Sequence, residues 1–152
     1  MAESIRMSNA REKTPENADL LNYSGFTAYA TATREFNGGS TVTFDGVLNN
    51  DGNFYNSQTS TFTCNVTGYY YFDLNLYLSN GRDFGASIIV GTTAQTKVYI
   101  EADAGENIKG STSVVALCSS NQNVYVRCDD SGELEGNLNA ETSFSGFLVG
   151  SV

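Results

Sequence analysis

Three cysteines and one acidic run are the residues in this 152-residue chain whose type and spacing bear most directly on chemistry. Cys64, Cys118 and Cys128 allow one disulfide and one leftover thiol. Cys118 and Cys128 flank a polar Ser-Ser-Asn-Gln-Asn turn, which would let them face each other across a hairpin and bridge if the register permits. Cys64 sits in an apolar run, where a cysteine also serves as a small buried residue. The run Asp129-Asp130-Ser-Gly-Glu133-Leu-Glu135, with Glu141 beyond it, contains no base. Hard cations need several oxygen ligands on a loop able to wrap them, so calcium on Asp129, Asp130, Glu133 and Glu135 is the metal site this composition suggests. The spacing is not that of an EF-hand, and a solvated acidic turn is the plainer reading. Asn49-Asn-Asp-Gly-Asn53 has similar ligand types, but tight-turn geometry accounts for it better.

The chain has no histidine, which removes serine–histidine and cysteine–histidine nucleophile pairs and histidine-ligated zinc or iron. Only Lys97 and Lys109 lie beyond the first twenty residues as lysine candidates, and no phosphate-loop or dinucleotide fingerprint is present. We therefore expect no enzyme. From Gly25 onward 13 acids face 5 bases, leaving −8 of the overall −9 within the domain itself. A surface of that sign repels nucleic acid and anionic membranes and suits a neutral or basic ligand. The same acidity also serves solubility alone.

The elements that must position these groups read as strands. Residues 1–24 are polar, contain Pro15 and show no heptads, no Gly-X-Y repeat and no apolar signal core, so a flexible leader is expected ahead of a domain at 25–152. Strands are expected at 26–34, 41–45, 61–66, 69–78, 86–90, 97–101, 112–118, 124–128 and 142–149, with turns at 49–53 and Asn80-Gly81. In 69–78, Tyr70, Phe72, Leu74, Leu76 and Leu78 share one face as a core stripe. Tyr69, Tyr71, Asp73, Asn75 and Tyr77 share the other. A strand apolar on both faces is covered twice, and the second cover is often another copy of the chain. Eight to ten short strands without helical periodicity predict an all-β sandwich or jelly roll. The sequons at Asn22 and Asn65 are no more than chance supplies in so Asn-, Ser- and Thr-rich a chain.

Four blocks in order resemble the complement C1q globular-domain family, relatives of the tumour necrosis factor fold. They are Phe26-Thr-Ala28; Thr43-Phe-Asp-Gly-Val-Leu-Asn49 with Tyr55; Phe62-Thr-Cys64 with Val66, Gly68, Tyr70 and Phe72; and Phe144-Ser-Gly-Phe-Leu148. The resemblance implies a ten-stranded jelly roll that assembles as a homotrimer and displays recognition loops. Tyr69, Tyr71, Tyr77 and Phe147 are then the expected trimer-interface residues. Calcium near the trimer top occurs in some relatives, which adds weight to the acidic run. The implied function is an extracellular, secreted, lectin-like pattern receptor of innate immunity that binds carbohydrate or a microbial surface. The alternatives are a trimeric ligand for a cell-surface receptor and a structural extracellular trimer. The match is weakest at residues 79–111 and at Asn121-Gln-Asn123 and Tyr125, where the family usually has Gly-Asp and Trp, so the ligand does not carry over.

Overall fold

The computed structural model describes residues 23–79 and 81–152. Most of the expected leader, Asn22 of the first sequon and Asn80 of the expected turn lie outside the described residues. Ser24 already belongs to the folded body. It is fully buried, its hydroxyl donates to Asn65 Oδ1 at 2.7 Å, and its carbonyl accepts from the Leu148 amide at 2.9 Å.

The described residues form strands β1 (Gly25–Tyr29), β2 (Arg34–Phe36), β3 (Gly46–Asp51), β4 (Tyr55–Asn56), β5 (Thr61–Thr63) and β6 (Gly68–Leu78). They continue with β7 (Phe84–Val90), β8 (Thr93–Ile100), β9 (Ile108–Cys118), β10 (Asn123–Asp130), β11 (Gly132–Leu134) and β12 (Ser143–Ser151). Ten of them build two five-stranded antiparallel sheets, β3-β1-β12-β6-β9 and β4-β5-β10-β7-β8, and β11 pairs with β2 in a small ribbon. This is the expected jelly-roll sandwich.

Alternation along β6 explains why the layers close. Tyr70, Phe72, Leu74, Leu76 and Leu78 point into the space between the sheets and are all essentially inaccessible. Burying each such side chain is worth roughly 1.5–3 kcal/mol of transfer free energy. Aromatic rings fill the centre: Phe26 stacks on Tyr55 at 4.6 Å and on Phe62 at 4.9 Å, and meets Phe144 edge-on at 5.0 Å. The two core tyrosines satisfy their hydroxyls on backbone, Tyr55 donating to Phe44 O at 2.7 Å and Tyr70 to Val66 O at 2.8 Å. Burial pushes both phenols above the ordinary tyrosine range. The Phe144-Ser-Gly146-Phe147 motif also has a packing reason. A Cβ on Gly146 would lie 2.4 Å from the Phe72 ring and 3.1 Å from Phe26, so only hydrogen fits there.

Three expectations change. The predicted strand at 41–45 keeps Val42 and Phe44 buried but makes only an isolated bridge, Thr41 to Arg127. Side chains take over its backbone pairing: the Phe44 amide donates to Ser60 Oγ and its carbonyl accepts from Tyr55. Second, part of the expected acidic loop is strand β11. Third, the structure does not set Cys118 and Cys128 across a hairpin from each other, and it holds all three cysteines as thiols. β9 and β10 lie in opposite sheets, so the Ser-Ser-Asn-Gln-Asn turn carries the chain from one sheet to the other instead of closing a hairpin. Cys128 then sits five residues into β10, about 17 Å along the strand, while Cys118 faces Cys64.

Candidate functional site

The register of β12, β6 and β9 lays their outward side chains in rows across the sheet. Phe147 of β12 stands opposite Tyr71 of β6, which stands opposite Val115 of β9; beside them Tyr69 stands opposite Leu117. The Tyr71 and Phe147 rings lie 5.5 Å apart at 45°. Val149, at a bulge in β12, extends the same end of the face. These positions are open to solvent: Tyr69 is 46% exposed, Phe147 42%, Val115 58%, Leu117 56% and Val149 57%. Contiguous apolar rows of this kind differ from the single exposed apolar residues normal on any surface.

Further along the same strands the rows turn polar. Ser145, Asp73 and Ser113 face one another, then Ser143, Asn75 and Ser111. Asp73 accepts from the Asn75 amide at 2.7 Å. A groove of about 420 Å³ opens here, lined by Asn75, Lys109, Ser111, Ala140, Glu141 and Ser143 among others. Lys109 Nζ donates to Glu141 Oε1 at 2.9 Å and lies 5.3 Å from the centre of the Tyr77 ring. The Asn137 amide, and then Lys109, hold the Glu141 carboxyl below its usual range.

Of the four residues singled out for an interface, the structure brings Tyr69, Tyr71 and Phe147 together. Tyr77 is eight residues from Tyr69 on β6, about 26 Å away, and sits under Lys109 at the polar end. Sequence reading missed Val115, Leu117 and Val149. Their signal was available: Val114-Val115-Ala116-Leu117 is apolar on both strand faces, as β6 is.

The four carboxylates suggested for calcium do not form a ligand set. Asp129 accepts two bonds from Arg127, at 2.8 and 3.0 Å, and another from the buried Ser87 hydroxyl. Glu135 accepts from the Ser79 hydroxyl, while Glu133 lies in the β11–β2 ribbon opposite Glu35. Asp130 sits against Gly85. Among the described residues no group of three or more His, Cys, Asp or Glu is placed to hold a metal ion.

The family model of the C1q domain matches residues 25–149. The chain is 29% identical over 126 residues to one of the subunits of the human complement C1q subcomponent, covering 82% of this chain and 49% of that protein. To the bovine counterpart of that subunit it is 27% identical, covering 82% of this chain and 50% of that protein. It thus spans about half the length of the curated relatives it matches. In fold it is similar to the globular domain of zebrafish complement 1qA, with a TM-score of 0.71 at 17% identity, covering 85% of this chain and 98% of that one. It is also similar in fold to Eiger TNF from S. frugiperda, with a TM-score of 0.65 at 10% identity over 86% and 93% of the two chains.

Proposed function

The chain belongs to the C1q domain family, and on that premise we propose that it is an extracellular recognition module whose three copies close around the apolar rows of the β12-β6-β9 face. The observation that carries this reading is the contiguity of Tyr69, Tyr71, Val115, Leu117, Phe147 and Val149 on one side of a domain whose core is already complete without them. Tyrosine suits such a contact, since it offers a large apolar area and a hydroxyl that tolerates residual water. The polar groove lies on the same face, so copies packed through the apolar rows would enclose it. The ligand surface is then expected in the loops at the ends of the sheets.

Three weak sites held together gain avidity without any new contact. The domain's net −8 favours a neutral sugar or a basic protein patch over lipopolysaccharide and other polyanions. We read the ligand as carbohydrate on a microbial surface and the role as pattern recognition by binding, without catalysis. Among the described residues no helix is long and apolar enough to cross a membrane. A glycan array probed with the purified protein tests the ligand class. Specific binding that free sugar competes away is the expected result. A silent array with saturable binding to a cell-surface protein would favour the second reading, a receptor ligand, for which the fold likeness to Eiger TNF speaks.

A further inference from the structure

We propose that Cys64 and Cys118 form a structural disulfide that ties the two sheets of the sandwich together, with Cys128 left as a thiol. Cys64 follows β5 in one sheet, and Cys118 ends β9 at the edge of the other. Backbone bonds on both sides hold the two positions against each other. The Cys64 amide donates to Gln122 O at 2.9 Å, and the Cys64 carbonyl accepts from the Asn121 amide at 2.7 Å. Ser120, two residues past Cys118, donates its amide to Thr67 Oγ1 at 3.0 Å and its hydroxyl to Asn65 O at 3.1 Å. Cys118 itself pairs across the ladder with Gly68, four residues past Cys64. The segment after β5 and the turn after β9 are therefore laced together along their length, and register slip between the cysteines is blocked.

Between these laced segments the two side chains meet inside the core, both completely inaccessible. The two groups are near enough to perturb each other: the neighbouring Cys118, and then burial, raise Cys64, while the neighbouring Cys64 lowers Cys118 against the opposing effect of burial. Beyond that contact, Cys118 has the Ala116 carbonyl at 3.7 Å. Cys128, equally buried, has other surroundings: it lies on the central strand β10, its thiol donates to Asp130 O at 3.2 Å, and burial followed by the Asp129 and Asp130 charges pushes it up to about 11.

Because neither sulfur is reachable in the folded state, the bond must form while the sheets are still open. The oxidant is a disulfide, either of a small thiol such as glutathione or of a disulfide oxidoreductase. Cys118, as thiolate, attacks one sulfur of that disulfide, giving a mixed disulfide and releasing one thiol. Cys64, as thiolate, then attacks the Cys118 sulfur and displaces the second thiol. Two cysteine thiols lose two electrons and two protons, and the oxidant becomes two thiols. The finished bridge closes a loop of 55 residues, both cysteines included, long enough that the reduced protein should melt about 10 °C lower.

Peptide mapping of the full chain tests this. The protein is refolded in a reduced/oxidised glutathione buffer, then alkylated with iodoacetamide in denaturant without reductant and digested with trypsin. Cleavage after Arg34, Arg82, Lys109 and Arg127 puts each cysteine on its own peptide: 35–82, 110–127 and 128–152. The expected result is 35–82 joined to 110–127, with Cys128 alkylated. The Cys128→Ser variant should keep that linkage and still lose about 10 °C of melting temperature in reductant. Alkylation of all three cysteines, or a bridge that includes Cys128, overturns the proposal. Since the mapping is done on the unaltered chain, it does not depend on whether a Cys64→Ser or Cys118→Ser variant folds.

Discussion

Asp45 shows how one side chain can hold a junction that no strand ladder holds. Its carboxylate accepts from both Arg34 guanidinium nitrogens at 2.8 and 3.2 Å, and from the Thr31 amide and hydroxyl at 3.1 and 2.9 Å. The Arg34 bonds first, and the Thr31 bonds after them, hold the carboxyl far below its ordinary value. A carboxyl depressed in the folded state contributes stability that is complete above the unfolded pKa of about 4 and fades as pH falls toward the folded value. Asp45→Asn should therefore cost on the order of 1–2 kcal/mol near neutral pH, a figure discounted because a third of the side chain is exposed. Urea unfolding at pH 7 and at pH 3 checks this, and the variant should lose less stability between those two pH values than the parent. An equal loss in both would assign the acid sensitivity to other carboxylates.

At the scale of elements, β12 carries a sharper test because two of its glycines have opposite surroundings. Gly146→Ala drives a methyl into Phe72 and should cost on the order of 1–3 kcal/mol. Gly150, four residues on, has nothing within 4 Å of the same added atom, so Gly150→Ala should stay within about 0.5 kcal/mol. Denaturant midpoints of the two variants give the comparison, and similar costs would contradict the packing account. The strands themselves were largely legible: period-two alternation located β6, β7, β9, β10 and β12 to within a few residues. Pairing was not legible, because alternation says which residues share a face and not which sheet the strand joins. That is why Cys118 and Cys128 looked like hairpin partners when β9 and β10 stand in opposite layers. It is also why 41–45 read as a strand, although side chains of Ser60 and Tyr55, distant in sequence, satisfy Phe44. The acidic run has a related limit. Its composition was visible, but Ser87 and Ser79, which bond to Asp129 and Glu135, come from elsewhere in the chain, and Arg127 reaches Asp129 because both stand on one face of β10.

For the whole molecule, the expectation that β6 is covered on both faces becomes a statement about one end of one sheet. The inner face is closed by the core. The outer face is apolar at Tyr69, Tyr71, Val115, Leu117, Phe147 and Val149 and polar from Asp73 onward. Tyr77 belongs to the polar end, so Tyr77→Ala should leave assembly intact while a charge among the apolar rows should break it. Light scattering coupled to gel filtration at micromolar concentration puts this most directly. The account predicts a mass of about three times the 16.3 kDa chain, falling to a folded monomer in Leu117→Asp and Tyr71→Asp with strand content unchanged by circular dichroism. A monomeric parent protein, or a trimer indifferent to charges at both positions, would contradict it.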